Sequence, residues 1–165
     1  MRRAGTTNKR RPAEQRQGIA TVEFALVLPL FVTVTLGTVE FGNAFQRTNV
    51  LAWTLREGGQ LASMEFNDVL LKGQTANEKV ILDIRNIMTA NGLPGDEATI
   101  EITHADGPHE GSTFILSDKS NGLRFFRISA TLDYADVSIF PTGYMQGNVL
   151  EKSIVMRMGK SVLAQ

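Results

Sequence analysis

The chain has no cysteine, which excludes a disulfide framework, a thiolate-held metal and a cysteine nucleophile. It also lacks a glycine-rich phosphate loop and a nucleophile elbow, and no internal repeat is present. Its formal net charge is zero, so there is no basic body of the kind that binds nucleic acid. That zero is a cancellation. Met1 to Gln17 holds six basic side chains (Arg2, Arg3, Lys9, Arg10, Arg11, Arg16) against one acid, Glu14, for a net of +5, and the remainder sums to −5.

The absence with the largest consequence is local: Phe24 to Val39 contains no charged residue. Counted from Ile19 the apolar run reaches 21 residues, with Glu23 its sole charge. At about 1.5 Å per residue such a helix spans about 31 Å, the thickness of a bilayer's hydrocarbon core. A core helix of a soluble domain would show a polar face, and this run has none. Lys and Arg beside a span stay on the cytoplasmic side, so the expectation is a cytoplasmic N-terminus, a single span over residues 19–39 and a domain outside. A removable secretory signal fits less well. Its apolar core would be shorter, and the first small-x-small site ahead of a plausible mature start, Gly42-Asn43-Ala44, lies inside the expected helix. The paired arginines are too far from the apolar run for a twin-arginine signal.

At the mouth of the span stands Gln17-Gly18-Ile19-Ala20-Thr21-Val22-Glu23-Phe24. On a helix Ile19 and Glu23 share a face, about 6 Å apart in rise. A carboxylate within a span costs about 2.5–3.5 kcal/mol at the helix centre, less near an interface, and is usually paired. A basic leader closed by Gly18, an apolar run and a glutamate five residues after the glycine resemble the processing site of type IV pilins and pseudopilins. The resemblance implies cutting between Gly18 and Ile19 by a prepilin peptidase, and the new amine at Ile19 would be a partner for Glu23, its own or a neighbouring subunit's. The plainer alternative keeps Gly18 as a loop residue and lets Glu23 reach water at the headgroup level.

The stretch beyond the junction is more specific. GIATVEFALVLPLFVTVTLGTVEFGNAF, with a second Glu-Phe-Gly at Glu40 to Gly42, resembles the TadE-like minor pilins or pseudopilins of the tight adherence (Flp) pilus system. Leu55-Arg56-Glu57-Gly58-Gly59-Gln60-Leu61-Ala62 is similar to the Arg-Glu-Gly-Ala-Arg motif of those proteins, with Gly59 and Gln60 as departures. The chain is too long for the main subunit of that pilus and too short for the larger relatives with a von Willebrand-like domain. The resemblance implies an assembly role for Glu23, Phe24 and Glu40, with Glu40 marking the outer boundary of the membrane. It implies as partners other pilins or pseudopilins, the Tad secretion machinery and the membrane.

Pro29 and Gly37 are places where the helix can bend. Past the span, Phe41, Phe45, Thr48, Ala52, Leu55, Gly59, Ala62 and Phe66 recur at steps of three and four. This pattern predicts helix over 40–66, with a face that packs on a partner or on the chain's own head. The head, 67–165, reads as α+β: a turn at Lys72-Gly73-Gln74, a helix from Ala76 to Ala90 stopped by Asn91-Gly92, and strands over 98–104, 124–134 and 149–158. Thr113 to Leu116 is a short further candidate, and Phe140-Pro141-Thr142-Gly143 a turn. The organisation is thus a leader over 1–18, a span over 19–39, helix over 40–66 and an antiparallel sheet beyond, a pilin-like α+β fold.

Candidates for chemistry are few. His104 and His109, with Asp106 and Glu110, include suitable zinc ligands, but Gly107-Pro108 reads first as a turn and the spacing matches no zinc signature. Asp133-Tyr134-Ala135-Asp136 could offer paired acids, with nothing to indicate a cleft, and Trp53 reads as a core or interface anchor. The expectation is a non-enzymatic pilus-assembly protein with no cofactor. The alternatives are an uncleaved signal-anchored envelope protein with a ligand- or partner-binding domain, and a secreted metal-dependent enzyme using His104 and His109.

Overall fold

The computed structural model describes residues 12–64, 70–139 and 147–159, with side chains from residue 18 onward. Most of the leader, Phe66, and the turn at Phe140 to Gly143 lie outside the described residues. The chain divides into two compact units, Met1–Val39 and Glu40–Gln165, and one long helix, α1 (Pro12–Ala62), contributes to both.

In the first unit α1 is exposed from Gly18 to Val39 except at Leu36 and Gly37, which are half-buried, and it runs through Pro29 and Gly37 without interruption. The hydroxyls of Thr33, Thr35 and Thr38 donate to the carbonyls of Pro29, Phe31 and Val34, each at 2.8 Å. These bonds satisfy the three polar groups inside the helix itself, so the threonines do not interrupt an apolar surface. Leu26, Leu30, Phe31 and Val34 are all exposed in consequence.

From Glu40 onward α1 becomes one-sided. Ala44, Leu51, Leu55 and Ala62 enter the core, together with Thr54 and the glycines at 58 and 59. Of the stripe expected from the sequence, Leu55, Gly59 and Ala62 lie on this buried side, whereas Phe41, Phe45 and Ala52 are exposed. The reason is geometric. At about 100° per residue the stripe runs along the flank of the buried face, whose middle is the line of Glu40, Ala44, Leu51 and Gly58. Phe45 and Ala52 lie farthest from that line, and Phe41 points the same way as Gly59, five turns later, where Met156 supplies the cover.

The second helix, α2 (Ala76–Ala90), begins at a reciprocal cap. Thr75 Oγ1 accepts from the Glu78 backbone N–H at 3.2 Å, and a Glu78 carboxylate oxygen accepts from the Thr75 N–H at 2.8 Å. The Thr-x-x-Glu pattern is the sequence signature of such a cap, and it fixes the helix start more sharply than hydrophobic period does. Accepting that N–H also holds the Glu78 carboxyl below its ordinary value. Asn91 closes the helix and Gly92 follows with φ +77, the left-handed conformation glycine adopts at no steric cost. Val80, Ile84 and Met88 form the buried face.

Three antiparallel strands, β1 (Thr99–His104), β2 (Phe125–Asp133) and β3 (Val149–Arg157), lie in chain order. Their register aligns Ile102 with Ile128 and Ile154, and His104 with Phe126 and Met156, so one face of the sheet supplies the core. Lys152, opposite Ala130 on that same face, stays exposed on the edge strand, where a charge also discourages pairing with another sheet. Residues 113–116 do not add a strand beyond a single bridge from Thr113 to Thr103. The Asn77 side chain takes the partners a strand would need, donating to the Phe114 carbonyl at 2.7 Å and accepting from the Leu116 N–H at 3.0 Å.

Two neighbouring glycines set how closely α1 is approached. A Cβ at Gly58 would fall 2.2 Å from Ile84 Cγ1 on α2, and one at Gly59 would fall 3.0 Å from Met156 Cγ on β3. The first is an impossible distance against a branched, fully buried side chain. The second faces a flexible one. Gly58→Ala therefore loses about 1–3 kcal/mol to overpacking, despite the roughly 1 kcal/mol that alanine gains over glycine in a helix. Gly59→Ala should stay within about 1 kcal/mol of the parent, because Met156 can move aside. Denaturation of the full-length chain in detergent checks both, and an equal effect of the two substitutions would contradict this packing.

Candidate functional site

Two groups of residues carry the chain's unusual electrostatics. The first is the segment 18–24 at the start of the apolar run. All of it is helical and exposed, and a Cβ at Gly18 would meet nothing within 4 Å. Gly18 is therefore not required by packing. Glu23 makes no ion pair among the described residues, and Ile19 lies one turn before it on the same helix face. Phe24 is exposed beside it. An acid facing outward from a span asks for a positive group from elsewhere.

The second group surrounds Glu40. The sequence reading places this acid at the outer membrane boundary, and in the structure its side chain is 3% exposed, inside the second unit. The Tyr134 hydroxyl donates to Glu40 Oε1 at 2.8 Å and lies 3.0 Å from the Glu40 carbonyl oxygen. Asn43 Nδ2 donates to the Val137 carbonyl at 3.0 Å and, at 3.4 Å, to the Tyr134 oxygen. Arg47 extends the chain of contacts: Nε donates to Asn43 Oδ1 at 3.3 Å and Nη1 to the Gly92 carbonyl at 2.7 Å. Glu40, Asn43 and Arg47 recur at steps of three and four, so one helix face ties α1 both to the end of β2 and to the end of α2. Glu40 Oε2 is buried without a hydrogen-bond partner among the described residues.

Nothing in the sequence alone pairs Tyr134 with Glu40, and nothing there singles out Asn43 or Arg47. Tyr134 stands within Asp133-Tyr134-Ala135-Asp136, where the two acids draw the eye. In the structure the tyrosine is the buried member, at 2% exposure, while both aspartates remain at the surface. The signal that points to it is the strand's own alternation, which delivers Tyr134 to the buried face.

His104 is a member of the core rather than of an open site. Its ring lies 4.7 Å from that of Phe114 and 5.8 Å from that of His109, and its Nδ1 is buried without a partner among the described residues. Glu110 faces Arg127 at 3.5 Å. Among the described residues no three of His, Asp or Glu converge as metal ligands would. Trp53 is half exposed beside Asn49, Val50 and Asn91, so the core half of its two expected roles does not hold.

An exposed apolar helix of bilayer-spanning length, followed by a one-sided helix with a second helix and a small antiparallel sheet, defines a single-pass, membrane-anchored α+β protein. Its N-terminal segment is more specific still: residues 18–60 match the family model described as TadE-like protein. The matched stretch contains Gly18, Glu23, Glu40, Asn43, Arg47 and both packing glycines. Comparisons with curated proteins and with solved structures gave no significant match.

Burial pushes the Tyr134 hydroxyl above its ordinary value of 10.0, and the carboxylate of Glu40 beside it acts in the same direction, against the Asn43 amide. A raised folded-state value means that this stabilisation is complete below pH 10 and is lost as pH rises through the folded-state value. Tyr134→Phe leaves Glu40 with no side-chain donor and should cost about 1–3 kcal/mol. Compared by denaturation between pH 8 and pH 11, the parent should lose its advantage over Tyr134→Phe only in the alkaline half of the range. A constant difference across the range would contradict the assignment.

Proposed function

We propose that the chain is a minor pilin or pseudopilin of a tight adherence (Flp) pilus, made as a single-pass precursor in a bacterial inner membrane. Its leader remains cytoplasmic and its head faces the periplasm. A prepilin peptidase cuts between Gly18 and Ile19, and the protein then acts in pilus assembly and surface attachment alongside other pilins or pseudopilins and the Tad secretion machinery. Its role is packing and positioning, not catalysis, and it uses no cofactor. The observation that carries this reading is the coincidence of the TadE-like match with a glycine–glutamate junction directly ahead of a charge-free helix.

The chemistry of the junction supports the same steps. Gly18 is exposed with open space around it, so a peptidase needs to displace no packed side chain to reach it. Cutting discards the strongly basic leader and creates an amine four residues before Glu23. That cation, or its copy on a neighbouring subunit, offsets the cost of a carboxylate in lipid. Buried pairs of this kind add little net stability but can fix the register of packed helices, and Glu23 and Phe24 are placed to do so in a partner's company. Glu40 takes a different part, holding the head to its own helix.

Co-expression with a prepilin peptidase tests the processing step. The parent should migrate as the shorter product, whereas Gly18→Ala should accumulate at precursor length. Glu23→Gln should be cut normally but assemble poorly. If Gly18→Ala and the parent have the same length and activity, the chain is an uncleaved signal-anchored protein instead.

A further inference from the structure

β3 is an edge strand of the sheet, and the direction of its backbone groups is fixed at both ends. The Tyr134 N–H donates to the Asn148 carbonyl at 3.0 Å, and the Met158 N–H to the Arg124 carbonyl at 2.9 Å. Hydrogen-bonded and open pairs alternate along an antiparallel ladder, so these two bonds and the register between them assign the even-numbered residues of β3 to β2. The N–H and C=O groups of Val149, Glu151, Ser153, Val155 and Arg157 point the other way, and no backbone partner meets them among the described residues. The opposite edge of the sheet differs. There the His104 N–H donates to the Ser112 carbonyl and the Phe114 N–H to the Ile102 carbonyl, at 2.8 and 2.9 Å, so the chain after β1 folds back over that strand's last residues. The open edge of β3 runs for nine residues, about 30 Å. Val149 is 51% and Val155 49% exposed, while Ile154 and Met156 pack against the core yet stay half-buried. Such an edge is a template for a further strand.

We propose that β3 pairs antiparallel with β3 of a second copy about a two-fold axis, joining two three-stranded sheets into one. The strand's own charges select both the occupant and the register. Outward-facing groups must meet outward-facing groups, so odd-numbered residues pair with odd-numbered ones. Of the registers this allows, only the one centred on Ile154 sets opposite charges against each other: Glu151 faces Arg157 of the second copy, and symmetry makes the contact twice. Both residues are exposed and lie on the same face of the strand. Glu151 makes no ion pair among the described residues, and Arg157 is held at the strand end by its Nε bond to the Leu123 carbonyl at 3.0 Å. Ile154 then meets its own copy on the axis, which covers a row that the single sheet leaves half open. Lys152 separates this register from the one centred on itself, where two lysines would stand directly opposed at a cost. Centred on Ile154, each lysine lies across from Met156 of the other copy, able to rest its stem there and keep its ammonium in water. The charge that deters unrelated strands thus tolerates this one pairing. The contact involves the second unit alone and needs neither the span nor cleavage at Gly18.

Because the chain has no cysteine, disulfide formation between full-length copies in detergent can read the register. Ser153 should face Val155 of the other copy at a Cα separation of about 5.5 Å, within disulfide reach. Two copies of Ser153, or two of Val155, would lie about 9 Å apart, beyond it. A mixture of Ser153→Cys and Val155→Cys chains should therefore oxidise to a dimer several-fold faster than either variant alone. Sedimentation should show a dimer for the parent and a monomer for Val155→Pro, which removes an outward N–H that β2 does not use. Glu151→Arg and Arg157→Glu should each weaken dimerisation about tenfold, and the double exchange should restore it. These two side chains are exposed, so the exchange decides the point even where the proline disturbs the fold. A monomeric parent leaves the edge to a strand of another protein and overturns the proposal. So does a dimer that neither Val155→Pro nor the single charge changes weaken, since spans associating in detergent would hold it without the strand. Equal oxidation of the mixture and the single variants, or no recovery in the double exchange, overturns it as well.

Discussion

A single helix here has to satisfy two solvents in succession. Over Phe24 to Val39 α1 is apolar on every side and folds its three hydroxyls back onto its own carbonyls, as a segment in hydrocarbon must, because nothing outside can satisfy a polar group there. One residue later the requirement reverses. From Glu40 onward one face must meet a packed core while the other stays exposed, and the polar residues Glu40, Asn43 and Arg47 are the first to turn inward. The remaining architecture depends on that change of environment: β2 ends where Tyr134 can reach Glu40, and α2 ends where the Gly92 carbonyl can reach Arg47.

Further along, the fold depends on closeness rather than on polarity. Gly58 lets Ile84 approach α1 to within the space of a methyl group, and Gly59 does the same less strictly for Met156. Both lie in the Arg56 to Gln60 segment through which the chain resembles TadE-like proteins. The resemblance there has a physical basis in packing, with no need for a binding or catalytic role at those positions. Gly59, where those proteins carry alanine, is the more tolerant of the two, which is why the departure is harmless to the fold.

Much of this was legible in the sequence. The limits of α2 and the three strands follow from changes in hydrophobic period, and the sheet register then carries Ile102, Ile128 and Ile154 to one face. The Lys152 exception is also visible in advance, and its edge position explains it. What periodicity misses has definite causes. The expected stripe runs along the flank of the buried face rather than its middle, so it groups Phe41, Phe45 and Ala52 with residues they do not join. Thr113 to Leu116 looks strand-like because Phe114 and Leu116 are both buried, yet after the Phe114 N–H meets the Ile102 carbonyl the Phe114 carbonyl and the Leu116 N–H go to the Asn77 side chain, which no pattern of hydrophobicity reveals. The bond between Glu40 and Tyr134 joins residues 94 apart, and neither residue's neighbours announce the other. Gly18 to Phe24 is the reverse case, conspicuous in sequence yet exposed along its whole length in the structure.

The passage of α1 from an all-round apolar environment to a one-sided one at Glu40 is directly measurable, because the chain has no cysteine of its own. Single cysteines introduced along α1 in membranes would be challenged with a water-soluble maleimide. Positions from 24 to 39 should be protected whichever way they face. Beyond the change, 46, 49, 53 and 56 should label while 43, 51 and 55 should not. Labelling that alternates with helical period throughout 24–39 would mean a helix in water with one buried face, and would contradict a change of solvent at Glu40.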